Sequence, residues 1–376
     1  MSTRPRNRRQ LIVDAAGHVF NERGYHAASL EEIAARVGIT APALYRHFSN
    51  KYELFAECAG FMADGLVEAL DAQPDDAGIE DLLRAAARVT IAHRSTGGVY
   101  RWEARYLQPD DRQVLRGKFE HVVDRVAGAV EPAPLDAHLR AVAALGAIGS
   151  ITMHRTRVSP RRAEEVLVSA ALGAAHARSV AAAPATVPTA PEPRKRREQI
   201  LAAAIPLFAR DGFHEVTLGQ VADAVGIATS AIYRHFPAKV DILAAACLQA
   251  AALLDQAVAE AGDSIEALAA VYVDYSFEHR DLTSVAEAEI VGLPPAQQRP
   301  VVAAQRDHLA VWEQRLVAVR PELDHARARV LVHAGLGAVV EAGRRLRWQD
   351  TPENRGAVQS LLLAVLRPPA GSCPGS

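Results

Sequence analysis

The sequence predicts an all-α protein built from two tandem units. Three observations carry this. One stretch is written twice: SLEEIAARVGITAPALYRHF at Ser29–Phe48 returns as TLGQVADAVGIATSAIYRHF at Thr217–Phe236. The offset, 188 residues from Gly24 to Gly212, needs no gap between Arg9 and about Ala56. Apolar residues elsewhere recur at helical spacing, and no stretch alternates as a half-buried strand would. Between the halves, residues 181–193 read AAAPATVPTAPEP, a proline density that no continuous helix tolerates.

Each unit opens on an amphipathic helix. Leu11, Ile12, Ala15, Ala16, Val19 and Phe20 share one face, and Gly24 reads as the C-cap. The counterpart runs through Ile200, Leu201, Ala204, Leu207 and Phe208 to Gly212; Pro206 within it predicts a kink or a delayed start. Ser29-x-x-Glu32 and Thr217-x-x-Gln220 are capping boxes, each starting a second helix. Gly38 and Gly226 supply a left-handed turn, and Ile39 and Ile227 plug the angle after it. A third helix is expected from Ala41 to His47 and from Thr229 to His235, with Leu44 and Phe48, or Ile232 and Phe236, on its inner face. Asn50 caps the fourth helix of the first unit; Ala238 is a weaker choice in the second.

Beyond these heads the repeat is fainter. Glu103-Ala104-Arg105 resembles Glu287-Ala288-Glu289, and each precedes a Pro-containing break. Leu145-Gly146-Ala147 resembles Leu336-Gly337-Ala338 within small-residue helices that suit close packing, and a further amphipathic helix closes each half near 160–180 and 352–367. The boundaries follow: a first head over 4–64, its helical body over 65–180, the linker over 181–193, a second head over 194–252, its body over 253–368, and a disordered tail over 369–376. Stretched out, the linker spans about 40 Å.

The net charge of −2 announces no global basic field, but positive charge gathers at the heads. Residues 1–55 hold eight Lys/Arg against five Asp/Glu, and residues 194–243 hold seven against five. That local excess is what attraction to a phosphate backbone needs. Helix, glycine turn and helix, with small and hydroxyl residues opening the second helix, is a form suited to the major groove. Thr40, Ala41 and Pro42 open it in the first unit; Ala228, Thr229 and Ser230 do so in the second. Tyr45, Tyr233, His47 and His235 carry side-chain donors for phosphates, and Lys51 and Lys239 start the next helix. The bland readings are core tyrosines, locally packed histidines and solvated arginines. The arginines at 4–9 and the basic run 194–197 read either as solubilising tails or as arms along the DNA.

Both heads resemble the TetR family of bacterial transcriptional regulators. The resemblance rests on Phe-x-x-x-Gly-(Tyr/Phe), (Ser/Thr)-Leu-x-x-(Ile/Val)-Ala, Val-Gly-Ile and (Leu/Ile)-Tyr-Arg-His-Phe-x-x-Lys, over about fifty residues per copy. It implies a three-helix DNA head, a body of about six helices whose last two form a four-helix dimer interface, and repression relaxed by a small molecule in the body. Carried over by position, phosphate contacts fall on Ser29, Tyr45, His47, Lys51, Thr217, Tyr233, His235 and Lys239. Base contacts fall on Thr40, Ala41, Pro42, Leu44 and Arg46, and on Thr229, Ser230 and Arg234. The chain departs from the family pattern in carrying two heads, whose recognition helices differ at Thr40/Ala228 and Pro42/Ser230. An imperfect operator is therefore expected.

The expected partners are double-stranded operator DNA and an unidentified small-molecule effector. The two halves are expected to pack as a monomeric pseudo-dimer, with a homodimer as the alternative. Trp102, Glu103 and Glu287 are the candidate ligand residues; the competing reading is an intrahelical ion-pair set with Trp102 in the core. No cofactor, metal spacing or nucleophile–base pair is visible, so an enzyme is not expected, and His93 and His154 read as structural or exposed rather than as metal ligands. Charges break the apolar runs and no signal peptide is visible, so a cytoplasmic protein is expected. A DNA-binding architectural protein without an effector is the alternative function; an apolar cavity in a body discriminates the two.

Overall fold

The computed structural model describes residues 8–97, 99, 106–178, 187–188, 192–290 and 293–367, with the side chains of Glu287 and Glu289 outside the description. Every regular element among them is helical. The first repeat contributes α1 (Arg8–Ala27), α2 (Leu30–Val37), α3 (Ala41–Leu44), α4 (Lys51–Asp71), α5 (Ile79–Ala92), α6 (Pro109–Gly128), α7 (Ala137–Gly149) and α8 (Pro160–Ala175). The second contributes α9 (Arg196–Asp211), α10 (Leu218–Val225), α11 (Thr229–Ile232), α12 (Lys239–Glu260), α13 (Ile265–Glu278), α14 (Arg280–Glu289), α15 (Pro295–Val319), α16 (His325–Arg345) and α17 (Pro352–Leu366).

The chain divides into two compact units. Of the described residues, the first takes in those up to 178 together with 333–341 and 364–367; the second takes in those from 187 to 332 and 342–363. The α16 helix contributes its middle, 333–341, to the first unit and its ends to the second. Inside the first unit, a Cβ on Gly146 would lie 2.7 Å from the Gly337 carbonyl oxygen, so two backbones meet where side chains are absent. The His154 and His333 rings stack there at 4.0 Å.

Each head closes over its own apolar core. In the first, Ile12, Val19, Phe20, Ile33, Leu44, Phe48, Leu54 and Phe55 are buried together. In the second, Ile200, Ala204, Phe208, Val221, Ile232, Phe236, Ile242 and Leu243 are. Ile12, Val19, Phe20, Ile33, Leu44 and Phe48, with Ile200, Ala204, Phe208, Val221, Ile232 and Phe236, are among the inner-face residues of the sequence pattern, whereas Leu11, expected on that face, is 54% exposed. Burial of these cores is the main driving force for holding short α3 and α11 in place. Gly24 is non-helical, with φ 74°, ahead of a last turn that runs on to Ala27. Pro206 neither delays α9 nor ends it: the helix runs from Arg196 to Asp211 with the exposed ring on its outer side.

The bodies preserve the repeat more faithfully than their residues suggest. α5 and α13 are each 14 residues long, and each ends on a histidine C-cap, His93 and His279. Their offset is 186 residues rather than 188, because the connection before α13 is shorter. Part of the linker is not a free spacer. Val187 packs on the second unit's core, and the Pro188 carbonyl lies 2.9 Å from His279 Nε2. α12 is the one helix among the described residues long and apolar enough by composition to cross a membrane, against the expectation that charges break every such run. Half of its apolar window is buried, with Ile242, Leu243, Ala246 and Cys247 facing the second head's core.

Candidate nucleic-acid interface

The candidate DNA-facing surface is built from α2 and α3, and again from α10 and α11. Ser29 Oγ accepts from the Glu32 N–H at 3.1 Å, and Thr217 Oγ1 from the Gln220 N–H at 3.2 Å. The box is reciprocal only in the second head, where Gln220 Oε1 accepts from the Thr217 N–H at 2.7 Å. Glu32 turns away to Arg23, 3.4 Å distant. Gly38 and Gly226 sit in the left-handed region at φ 73° and 70°, which an L side chain adopts only with strain. The Ile39 and Ile227 amides then bond back to the carbonyls of Ala34 and Ala222, fixing the angle between the two helices.

The third helix is shorter than predicted. α3 and α11 are one turn each, and residues 45–47 and 233–235 continue as turns. Thr40 caps α3 through Oγ1, 3.4 Å from the Ala43 N–H; Ala228 has no side chain to do so. Thr40, Pro42, Arg46, Thr229, Ser230 and Arg234 are exposed, while Ala41, His47, His235 and Ser29 are half-buried. Tyr45 and Tyr233 are 51% and 56% exposed, although their large rings usually favour burial. The core-tyrosine reading therefore fails in both heads. Leu44 corrects the carried-over set: it is fully buried in the head core, so its side chain is withdrawn from any base edge.

The two lysines have a task inside the fold. Lys239 Nζ donates to the carbonyls of Phe213, His214 and Val216 at 2.7, 3.2 and 2.7 Å. Lys51 Nζ donates to the His26 carbonyl at 3.1 Å and lies 4.7 Å from the Tyr25 ring centre. Each ties the start of the fourth helix to the loop that precedes the second. Asn50 Oδ1 caps α4 by accepting from the Glu53 N–H at 2.9 Å; at the start of α12 Asp241 Oδ2 instead accepts from the Ala238 N–H at 3.0 Å.

Of the candidate ligand residues, Trp102 and Glu103 lie outside the described residues, and Glu287 stands on α14 with its side chain outside the description. The second body holds a group that the sequence reading missed. His308 on α15 is 8% exposed, and its Nε2 accepts from the Trp312 indole N–H at 3.0 Å. Nδ1 must then carry the ring proton, and it has no hydrogen-bond partner. Burial pushes the imidazole down to about 4, so the ring is neutral at pH 7. The Tyr272 ring lies 6.1 Å away, roughly parallel. At the 186-residue offset the first body has Val122, Val126 and Ala86, all fully buried. One repeat fills this layer with aliphatic groups; the other fills it with a polar aromatic set. Spacing alone gave no signal, since a lone His on an apolar face reads as core. Among the described residues no cluster of three or more His, Cys, Asp or Glu side chains is placed to hold a metal.

Comparisons agree with the duplicated head. The family model for bacterial regulatory proteins of the tetR family matches residues 12–58 and, again, 200–246. The HTH-type transcriptional activator FasR of Mycolicibacterium smegmatis is 34% identical over 154 residues, covering 39% of this chain and 68% of FasR. The nucleoid occlusion factor SlmA of Photorhabdus laumondii is 35% identical over 71 residues, covering 19% of this chain and 36% of SlmA. The HTH-type transcriptional repressor KstR2 of Rhodococcus jostii is 31% identical over 110 residues, covering 28% of this chain and 54% of KstR2. A solved TetR-family regulator from Bordetella parapertussis is 20% identical with a TM-score of 0.40, covering 45% of this chain and 94% of that one. With two matched heads of one geometry and the FasR similarity spanning most of that protein, the chain belongs to the TetR family of bacterial regulatory proteins and carries the family's DNA-binding domain twice.

Proposed function

We propose that the chain is a sequence-specific transcriptional repressor that places both heads on one operator, and that a small molecule held in a helical body relieves it. The observation that carries the DNA reading is the doubled reading surface. Each copy has a left-handed glycine turn, a one-turn third helix and a half-exposed tyrosine at the same offset. A fold under no demand to present those tyrosines gains more by burying them. The contacts proposed for phosphates are Ser29, Tyr45, His47, Thr217, Tyr233 and His235; those for bases are Thr40, Ala41, Pro42, Arg46, Thr229, Ser230 and Arg234. Lys51 and Lys239 hold the heads in shape and reach phosphate only secondarily. Footprinting on the chain's own promoter region tests this with Tyr45→Ala and Tyr233→Ala made separately. Each should erase one half of the footprint; loss with only one of them reduces the protein to a single working head.

Two heads on successive major grooves need centres about 34–36 Å apart. An intrachain pseudo-dimer would carry both heads without a second chain. The reading is supported by the placement of residues 333–341 in the first compact unit and by the close approach of Gly146 to Gly337. A solution mass equal to one chain on DNA is expected; an obligate dimer would sink the pseudo-dimer. For the effector, the reading is supported by the second body, where neutral His308 offers an unmatched N–H beside aromatic rings, a set suited to a neutral acceptor on an apolar molecule. FasR is named an activator and KstR2 a repressor, so the sign needs its own assay. Transcription in vitro from the bound promoter should fall on adding the protein; a rise overturns repression.

A further inference from the structure

The two heads treat one arginine differently. In the first, Arg9 of α1 reaches Glu57 through Nε at 3.1 Å and Nη2 at 2.5 Å, with Glu53 at 3.6 Å. Its Nη1 also donates to the carbonyl of His47, at the end of the reading surface, and the guanidinium lies 4.1 Å from the Phe48 ring centre. One cation thus faces two carboxylates, and its fork is filled by groups of the protein itself. What Arg9 holds in place is the turn that follows α3.

Arg197 stands one repeat later. Its guanidinium lies 4.3 Å from the Phe236 ring centre, the same seat on the same phenylalanine. Its surroundings have changed. The counterpart of Glu57 is Ala245, and the counterpart of Glu53 is Asp241, which is engaged with the Ala238 N–H and with Gln297 at 3.3 Å. Glu198, the neighbouring carboxylate, accepts from the backbone N–H groups of Arg194 and Lys195. Among the described residues no carboxylate pairs with Arg197, and the side chain is exposed. An exposed, unpaired guanidinium stacked on a fixed ring beside Tyr233 and His235 is pre-oriented for a phosphate, whose two oxygens match its donor fork.

We infer that Arg197 is a phosphate-contacting residue of the second head and that the first head, its Arg9 neutralised by Glu57, has no equivalent. The inference rests on the reading that both heads bind DNA. It makes the two half-sites unequal in salt response, because each phosphate neutralised adds about 0.9 to the slope of log affinity against log salt. One contact is then worth about a 3.5-fold difference between 50 and 200 mM salt.

The test uses the full chain and a duplex selected by it from random-sequence DNA, with affinity read by fluorescence anisotropy across that salt range. Arg197→Ala should lower the slope by about one contact, and Arg197→Lys should keep it, which separates charge from packing on Phe236. Ala245→Glu should reproduce Arg197→Ala by rebuilding the first head's pairing. Arg9→Ala should leave the slope unchanged, whereas the double change Glu53→Ala with Glu57→Ala should raise it by freeing Arg9. A slope untouched by Arg197→Ala, with Tyr233→Ala still costing affinity, overturns the inference alone. If Tyr233→Ala is also silent, the two-headed reading fails and takes the inference with it.

Discussion

Replacing Lys239 by Met asks whether the lysine that starts α12 serves the fold or the DNA. Methionine keeps most of the aliphatic stem and removes the ammonium. The ammonium makes three hydrogen bonds, to the carbonyls of Phe213, His214 and Val216, and sits 4.4 Å from the Phe213 ring centre. A hydrogen bond to a charged group contributes about 1.5–3 kcal/mol, and an exposed cation–π contact about 0.5–1 kcal/mol. The sum is an upper bound. The three bonds share one charge, and carbonyls near the exposed His214 recover water when the lysine goes. A net local cost of about 2–3 kcal/mol is the working figure. Amide exchange in the full chain should therefore accelerate about 30- to 140-fold in the segment 212–218, since 1.4 kcal/mol is a factor of ten. Exchange in α16 and α17 should be unchanged. Unaltered exchange at 212–218, together with a weaker affinity and a lower salt slope, would refute the clamp and restore Lys239 as a phosphate contact.

Other perturbations follow from the same geometry. His308 is neutral when folded, held down to about 4 from an ordinary 6.5, so the unfolded chain binds the extra proton between those values. Stability is fully present above about pH 6.5 and falls as pH drops toward 4, by about 3 kcal/mol in all; His308→Phe should flatten that part of a urea-midpoint profile against pH. Ala228→Thr gives α11 the cap that Thr40 gives α3 and should slow exchange at residues 230–232 by the equivalent of about 0.5–1 kcal/mol. Gly226→Ala places a Cβ at φ 70° and should cost about 1–2 kcal/mol in the second head, read by the same exchange measurement. No neighbour lies within 4 Å of the new Cβ, so a larger loss would point to something other than backbone strain.

The heads were legible in the sequence because their rules are local. Capping residues, glycine turns and helical spacing act within a few positions, and they placed every helix of both heads. The misses have physical reasons. The family pattern puts a base contact at Leu44 because its position lies on the recognition helix, yet one turn of helix cannot both seal a core and present the same side chain outward. The carbonyls held by Lys51 and Lys239 were not legible either, because only the path of the preceding loop brings them within reach of the ammonium groups. Pro206 was read by its cost inside a helix, but exposure on the outer face left it room. In the bodies, the polar layer of His308, Tyr272 and Trp312 arises from three positions on two helices, a coincidence that no single window displays.

The different surroundings of Arg9 and Arg197 show what a covalent repeat permits. In a symmetric homodimer every codon change appears in both reading heads at once, and a contact worth about 1–3 kcal/mol is gained or lost twice. Here a change such as Glu57 against Ala245 is felt on one side only. On the proposal that both heads bind one operator, recognition can drift one half-site at a time, in steps half as large, while the other head keeps the protein on its site.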